Sequence, residues 1–438
     1  MIPSDAMLGT DASSTVQVSS PGPTSISRAR SNPLPTSPKG EEQEVLIAPL
    51  LTVDDAPVLT PQDTWDAVVV GAGVTGAALA CLLARAGRRT LLLDRAAFPR
   101  DKVCGCCLSA AAITLMTQLG LSDALNAASP RPLRWAEIYL ATAHLTLPHG
   151  GVAVSRSALD ASLAGQARGE GAVFFDQTAA SLGPMTEGFR EVQLRGHGAH
   201  QTVRARIVFA CDGLAGRLLD AEPEMAWTVA PHSRMGVHAL LPAGAMDIPA
   251  DAIVMRAGRG GYVGLVRLED GRIDLAAALD PAKCRAVGGP LALVRQILRQ
   301  CGDATTLVDV PMHGTPLLTR HRRVLGQNRV LAVGDACGYV EPFTGEGMKW
   351  GIASAGAVAE LLANGDDPWK QDLPQRWRSV HDEMLTRPMR LCRVLTWALR
   401  RPQTLGMGLG AMRILPGLAR RLSDAVNAPL TIPAAGAF

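Results

Sequence analysis

An α/β protein is predicted, with a nucleotide-binding β-α-β unit, a second group of strands and a helical C-terminus. Three observations predict it. A buried strand at 66–70 runs into a glycine-rich turn, a helix at 74–86 full of Ala and Leu, and a second buried strand at 90–94. Short β-like segments then follow one another as far as residue 279. From Glu346 onward nearly everything reads as helix.

Residues 1–62 precede this pattern. They are rich in Ser, Thr, Pro and Gly, as in "SSPGPTSISRARSNPLPTSPKG". Such a segment has too little apolar surface to offset the ordering of its backbone, so a disordered leader is expected. Asp5, Asp11, Glu41, Glu42 and Glu44 argue against a transit peptide. No basic segment followed by an apolar run suggests a signal peptide, and no uncharged apolar stretch is long enough to span a bilayer.

The 438 residues are 47% hydrophobic and 19% charged, with a formal net charge of +3. That charge is too small for a surface built to bind nucleic acid, and 4% aromatics leave little stacking capacity for single strands. The 9 cysteines have no regular spacing and do not read as a disulfide framework. A reducing, cytoplasmic setting is expected.

After residue 130, strand candidates at 134–140, 152–154, 172–176, 189–195 and 204–210 surround a helix at 156–168. A second group at 234–241, 251–256, 260–267 and 272–279 leads to a helix at 290–301. Residues 329–335, "RVLAVGD", form a further buried strand.

The turn Gly71-Ala72-Gly73-Val74-Thr75-Gly76 fits G-x-G-x-x-G in its strand–helix setting. Gly71 permits the tight turn, Gly73 the approach of a pyrophosphate, and Gly76 close packing of helix on sheet. The helix N-terminus offers free N–H groups to the phosphates. Asp94 closes the next strand, where an acid holds a ribose hydroxyl. This is a Rossmann-like dinucleotide fingerprint, which by itself does not separate NAD from FAD. No second fingerprint with that setting occurs for a separate nicotinamide.

Two later segments extend the pattern. "RIVFACDGLAGRLL" is a buried strand ending at Asp212-Gly213. "RVLAVGDACGYVEPFTGEGMKWGIASAG" is a strand ending at Gly334-Asp335, then a loop, then a helix opening near Gly345. With the stretch Arg100 to Ser109, "RDKVCGCCLS", these motifs resemble the FAD-dependent monooxygenases of the para-hydroxybenzoate hydroxylase fold, especially their geranylgeranyl-reductase-like branch. The resemblance spans about residues 64–400 and rests on four ordered motifs.

The resemblance implies a Rossmann-like FAD-binding domain, with a GR2-type β-α-β unit, interleaved with a β-sheet substrate domain. The FAD-binding domain would comprise 63–225 and 305–365, the substrate domain 226–304, and C-terminal helices 366–438. It places Gly71, Gly73, Gly76, Asp94 and Arg95 on the nucleotide. Lys102, Cys104 and Gly105 would lie beside the flavin. Gly334-Asp335, Pro342, Gly345, Glu346, Gly347 and Met348 match the family's G-D…P…G-E-G motif. Asp335 would accept a hydrogen bond from the ribityl chain, and the helix opening at Gly345–Met348 would set its partial positive end toward N1 and C2=O of the reduced flavin. Asp212 and Gly213 match the family's DG motif; Asp212 reads either as a cofactor-side residue or as an Asx-type turn. Arg156 reads either as a cofactor-side arginine or as a surface residue at a helix start.

The sequence also departs from the family. Val266-Arg267 stands where the reductases carry Phe-Pro, and no Trp occurs between Trp227 and Trp350, although Tyr262 is present. That lowers the halogenase reading and the strict prenyl-reductase reading. It leaves NAD(P)H-driven hydroxylation of a lipophilic aromatic or polyketide-like substrate by O2 as the leading activity. A prenyl C=C reductase and a flavin–quinone electron carrier remain as alternatives. A phenolic substrate would profit from a base. His232, His238 and His313 lie in or beside the second strand group, and none is singled out as catalytic.

From Arg387 to Arg421 eight arginines alternate with Leu, Met, Trp and Ile without any Asp or Glu. This reads either as packing helices with a solvated basic face or as a peripheral contact with an anionic membrane. Cys104, Cys106 and Cys107 have neither a nicotinamide domain to feed a dithiol nor a second ligand pair for a metal. A flavin-facing loop is expected instead, in which Cys106 replaces the family's second glycine.

Overall fold

The strand Thr64–Val70 is the spine of the first sheet, and its central residues are fully buried. It pairs in parallel with Thr90–Leu93 on one side and Ala199–Ala210 on the other. Val173–Phe175 and Val330–Ala332 extend the parallel array outward. Burial on both faces explains the unbroken Val, Leu and Ala runs that mark these strands in the sequence. The helices Val74–Arg85, Arg156–Gly169 and Gly347–Leu361 cover this sheet, and their Ala and Leu side chains join its core. These coordinates are a computed structural model that describes residues 63–400, except 142, 197–198, 304–306, 342, 344, 364–368 and 370–371, together with 428–432. The leader and residues 401–427, with the arginines from 401 onward, lie outside the described residues.

The second sheet runs in the order His313–Leu317, Met235–Leu241, Ile273–Leu279, Gly261–Arg267, Ala252–Gly258, Arg131–Leu140, Ala143–Ala153 and Cys107–Leu108. One face packs on the helix Pro290–Gln300 through Val237, Leu265, Leu275, Leu293, Val294 and Ile297. The sheet differs from the sequence expectation in the segments that build it. Strands at 131–153, within the segment assigned to the FAD-binding domain, pair with Ala252–Gly258 and with each other, and Cys107–Leu108 and His313–Leu317, assigned there as well, form its two edges. The chain therefore enters the second sheet, returns to the first, and enters the second again. Pairing of this range is non-local, so no local pattern could reveal it.

Most elements fall within a few residues of their expected positions. The strand Thr178–Thr186, "TAASLGPMT", was not expected. It contains Gly and Pro and few β-branched residues, and it is held by pairing with Phe189–Gly196. At the other end, the helix Leu373–Leu399 seats Trp377 in the core, where its Nε1 donates to the Ala332 carbonyl at 2.9 Å.

Candidate active site

Parallel pairing brings four strand ends to one edge. Val70, Leu93, Ala210 and Ala332 are each the last residue of their strand. The loops that follow, carrying Gly71, Asp94, Asp212 and Asp335, therefore share one crevice, the place where open α/β sheets bind ligands. All four line a cavity of about 1150 Å³, whose other wall is the second sheet. This exceeds the roughly 300–1,000 Å³ that holds one drug-sized ligand, so it has room for a dinucleotide and a substrate.

Gly71 has φ +104°, and a Cβ there would lie 2.5 Å from the Cys211 carbonyl oxygen. Gly73 ends the turn as N-cap of the helix Val74–Arg85, with no side chain capping its first N–H groups. A Cβ on Gly73 would meet Arg156 Nη2 at 3.2 Å, Lys102 Nζ at 3.5 Å and Arg100 Nη2 at 3.8 Å. Three cations thus converge on an uncapped helix N-terminus, a cradle for a diphosphate. Burial and the neighbouring Arg156 and Arg100 charges push the Lys102 ammonium below its ordinary value. Arg156 is therefore a buried member of this site, not a surface residue at a helix start. Ser155 caps its helix by accepting from Ala158 N at 3.1 Å.

Asp94 is buried and largely engaged by the chain. Its Oδ2 accepts from Ala72 N at 2.9 Å and Arg100 Nη2 at 2.9 Å, and its Oδ1 from Ala96 N at 3.0 Å. One lone pair of Oδ1 is left for a ribose hydroxyl. Burial raises the carboxyl's pKa, but the Arg100 charge and these bonds outweigh it and hold it below the usual range. Arg95 is exposed at the rim of the cavity. Asp212 lines the cavity, and its Oδ2 accepts from Leu218 N, six residues on, at 3.0 Å, which ties the loop after its strand. Gly213 lies against Lys102. Asp335 follows Gly334 (φ +64°) into the cavity, where Lys102 and Arg156 oppose the upward push of burial on its carboxyl. A second uncapped helix start, at Gly347 after Gly345 (φ +74°), faces the same space with Met348. Glu346 is buried and paired with Lys349. Pro342 lies outside the described residues.

The second sheet shows the cavity one face only, because successive side chains alternate. Register pairs Gly236 with Ala278, His238 with Ala276, Gly264 with Ala276, and Met255 with Gly264. These residues share a face, and all line the cavity. Small residues at its centre leave the space; Tyr262, Phe343, Ile138 and Val266 bound it. Val266 faces inward, whereas Arg267 donates to the Ile248 and Gly271 carbonyls. The valine thus keeps this part of the wall apolar.

His238 on this wall is backed by a buried carboxylate. His238 Nε2 lies 2.7 Å from Asp274 Oδ1, both buried, on neighbouring strands. Burial lowers the imidazole pKa, but the hydrogen bond and charge of Asp274 raise it above its ordinary value. Burial raises the Asp274 carboxyl despite His238. The cysteine loop lies beside this pair. Cys106 has φ +49°, so it adopts the left-handed conformation of the glycine it replaces. Its neighbours Cys104 and Asp274, with burial, hold its thiol well above the ordinary value. The Cys104 thiol is pushed down to about 6, chiefly by the neighbouring Cys106, against burial, with help from the Arg156 charge. Burial instead pushes the Cys107 thiol up. Among the described residues no three His, Cys, Asp or Glu side chains are placed to share a metal ion.

Two functional carboxylates went unread in the sequence. Asp160 has no exposed surface and holds both Arg156 and Arg100. Its only sequence signal is the i, i+4 spacing from Arg156. Asp274 looked like an ordinary residue of an alternating strand.

A parallel sheet with an uncapped phosphate turn, a second helix start and an apolar annex defines a dinucleotide-binding flavoprotein. The chain belongs to the FAD binding domain family, whose profile matches residues 64–365; FAD is its cofactor, and it is an oxidoreductase. It is 28% identical over 372 residues to menaquinone reductase of Mycobacterium tuberculosis, covering 79% of this chain and 87% of that one. It is 24% identical over 336 residues to 3-demethoxyubiquinol 3-hydroxylase of Escherichia coli, covering 70% and 81%. A geranylgeranyl bacteriochlorophyll reductase-like structure from Thermoplasma acidophilum superposes with a TM-score of 0.65 at 17% identity, covering 85% of this chain and 94% of that one. Among the described residues no helix is long and apolar enough to cross a membrane.

Proposed function

We propose that this protein is an NAD(P)H-driven monooxygenase that hydroxylates a bulky, lipophilic phenol or polyketide-like aromatic. The observation that carries this reading is His238, which lines a largely apolar cavity wall with the buried Asp274 bonded to it. FAD supplies electron transfer from NAD(P)H and the activation of O2. Arg100, Lys102 and the N–H groups after Gly73 hold its diphosphate, with Arg156 behind them. Asp94 keeps one acceptor position for the ribose. Asp335 would accept from the ribityl chain, and the helix start at Gly347 would favour negative charge on a bound flavin. Cys104 and Gly105 border the ring, and Tyr262, Phe343 and Val266 exclude water from the substrate. His238, backed by Asp274, takes the phenolic proton, which makes the aromatic ring electron-rich where oxygen is to be inserted.

The relatives bracket this chemistry, since one is named as a hydroxylase and one as a reductase, both on quinone-type lipids. A second reading, reduction of an isolated C=C bond, is favoured by the Cys104 thiol, which could exchange a proton with the reduced chain. The lipophilic substrate also suggests peripheral membrane contact. On the helix Leu373–Leu399, Arg387, Arg390, Val394 and Trp397 lie exposed along one stripe.

Substrate-stimulated NAD(P)H oxidation under air and under nitrogen separates the readings. A monooxygenase stalls without O2. A reductase or quinone carrier continues with its acceptor.

A further inference from the structure

Two polar side chains flank a bare patch of the cavity wall. In the pairing register Gly236, Ala278 and Tyr262 stand side by side on three neighbouring strands, and His238, Ala276 and Gly264 form the next row of the same face. All six line the cavity. His238 and Tyr262 thus occupy opposite corners, and the four residues between them carry nothing larger than a methyl group. Two strand spacings across and two residues along put the corner Cα atoms about 12 Å apart.

Tyr262 is 6% exposed, and among the described residues nothing bonds its hydroxyl. That oxygen is not sealed in the packing either, so the surface it keeps opens on the cavity. The ring is fixed in place. Phe343 meets it edge-on at 5.0 Å, and the Arg234 guanidinium lies 5.6 Å from its centre. Arg234 is held in turn by the buried Glu341 at 2.8 Å. Burial and the Glu341 charge push the phenol well above its ordinary value, so it stays a donor. Packing among Ala257, Ala278 and Leu318 would need only a ring, whereas this residue carries a hydroxyl with no acceptor in the protein. At the other corner, Nε2 of His238 is engaged by Asp274, which leaves Nδ1 for a ligand.

We propose that Tyr262 is a specificity-determining residue, and that the site takes a hydroquinone, a planar ring with two para oxygens. The ring lies on the Gly/Ala patch with one oxygen at His238 and the other accepting from the Tyr262 hydroxyl. Para oxygens with a hydrogen bond at each end span roughly 11 Å. Side chains that stand roughly perpendicular to the sheet carry the corner spacing up to the level of that ring. A monophenol leaves the Tyr262 hydroxyl unpaired in a site closed to water, and so binds less well.

This rests on the reading of His238 as the group that meets the phenolic oxygen, but its test is binding without turnover. Oxidised, FAD-loaded protein is titrated under nitrogen, without NAD(P)H, with 2-hexylhydroquinone and with 2-hexylphenol and 3-hexylphenol, each of which lacks one of its oxygens. The change in the flavin spectrum reports binding. The wild type is expected to bind the hydroquinone at least about tenfold more tightly than either phenol. Tyr262→Phe keeps the ring and its packing. It is expected to weaken the hydroquinone at least about fivefold and the phenols less than about twofold, so that the preference collapses. FAD content and Tm report folding of the variant, and the wild-type comparison needs no variant at all. No binding of the hydroquinone, equal binding of all three ligands, a preference that survives Tyr262→Phe, or a loss shared equally by hydroquinone and phenols would overturn the proposal. A preference that holds while no oxygen is inserted into any product would overturn the monooxygenase reading alone.

Discussion

Arg156 grips both carboxylate oxygens of Asp160, with Nε at 2.9 Å and Nη2 at 2.8 Å, while Asp160 also accepts from Arg100 at 2.8 Å. One buried carboxylate thus aims two cations at the phosphate turn. Asp160→Asn leaves the buried Arg156 guanidinium without its counter-charge and Arg100 with Asp94 alone, a loss of about 3–5 kcal/mol where a buried pair is broken. The expected outcome is a lower Tm and FAD affinity weakened by more than tenfold, read by thermal unfolding and by flavin fluorescence titration. Unchanged FAD affinity would mean that the arginines do not hold the cofactor.

Glycine replacements sort the phosphate turn from the rest of the chain. Gly71→Ala must place a Cβ 2.5 Å from a backbone oxygen at φ +104°, and it is expected to yield protein without bound flavin. Gly165→Ala, in the helix Arg156–Gly169 with nothing within 4 Å of its Cβ, is expected to keep flavin and to stabilise the protein by up to about 1 kcal/mol. Flavin content and Tm of the two variants check both.

The His238–Asp274 pair predicts a pH dependence of stability. Both groups have folded-state pKa values above their ordinary ones. A raised value contributes stability that is full below the unfolded pKa, about 6.5 for His, and is lost as pH rises through the folded value. The Tm deficit of His238→Gln is therefore expected to be larger at about pH 5.5 than at about pH 8.5. A deficit that grows with pH would reverse the assignment.

The centre of the cavity wall is made of small residues, and enlarging one reports on the size of the ligand. A side chain at Gly264 first meets only the flexible Met255 sulfur, at 3.1 Å. Gly264→Leu is expected to retain FAD and its visible spectrum but to lose stimulation of NAD(P)H oxidation by bulky phenols more than by small ones. Equal loss for both would show that this wall does not bound the substrate.

Much of the nucleotide side was legible in the sequence because its determinants are local. A strand, a turn needing positive φ at Gly71 and a helix start at Gly73 are all set by neighbours in the chain. Asp94 followed from the β-α-β reading, and Asp212 and Asp335 from their match to the family's motifs at the ends of buried strands. The His238–Asp274 pair was not legible, since the two residues meet only because their strands pair in one register. Within 131–153 only 134–140 and 152–154 were visible as strands, and their sheet was not, since pairing across more than a hundred residues leaves no periodic trace.

Isotopically heavy O2 tests the central claim most directly. The purified holoenzyme, NADPH or NADH, and a lipophilic phenol that stimulates cofactor oxidation are incubated under it, and the product is weighed by mass spectrometry. The account predicts a product carrying one heavy oxygen atom for each NAD(P)H consumed, and no product under nitrogen. A product that gains two hydrogens, carries no heavy oxygen and forms equally well under nitrogen would contradict it.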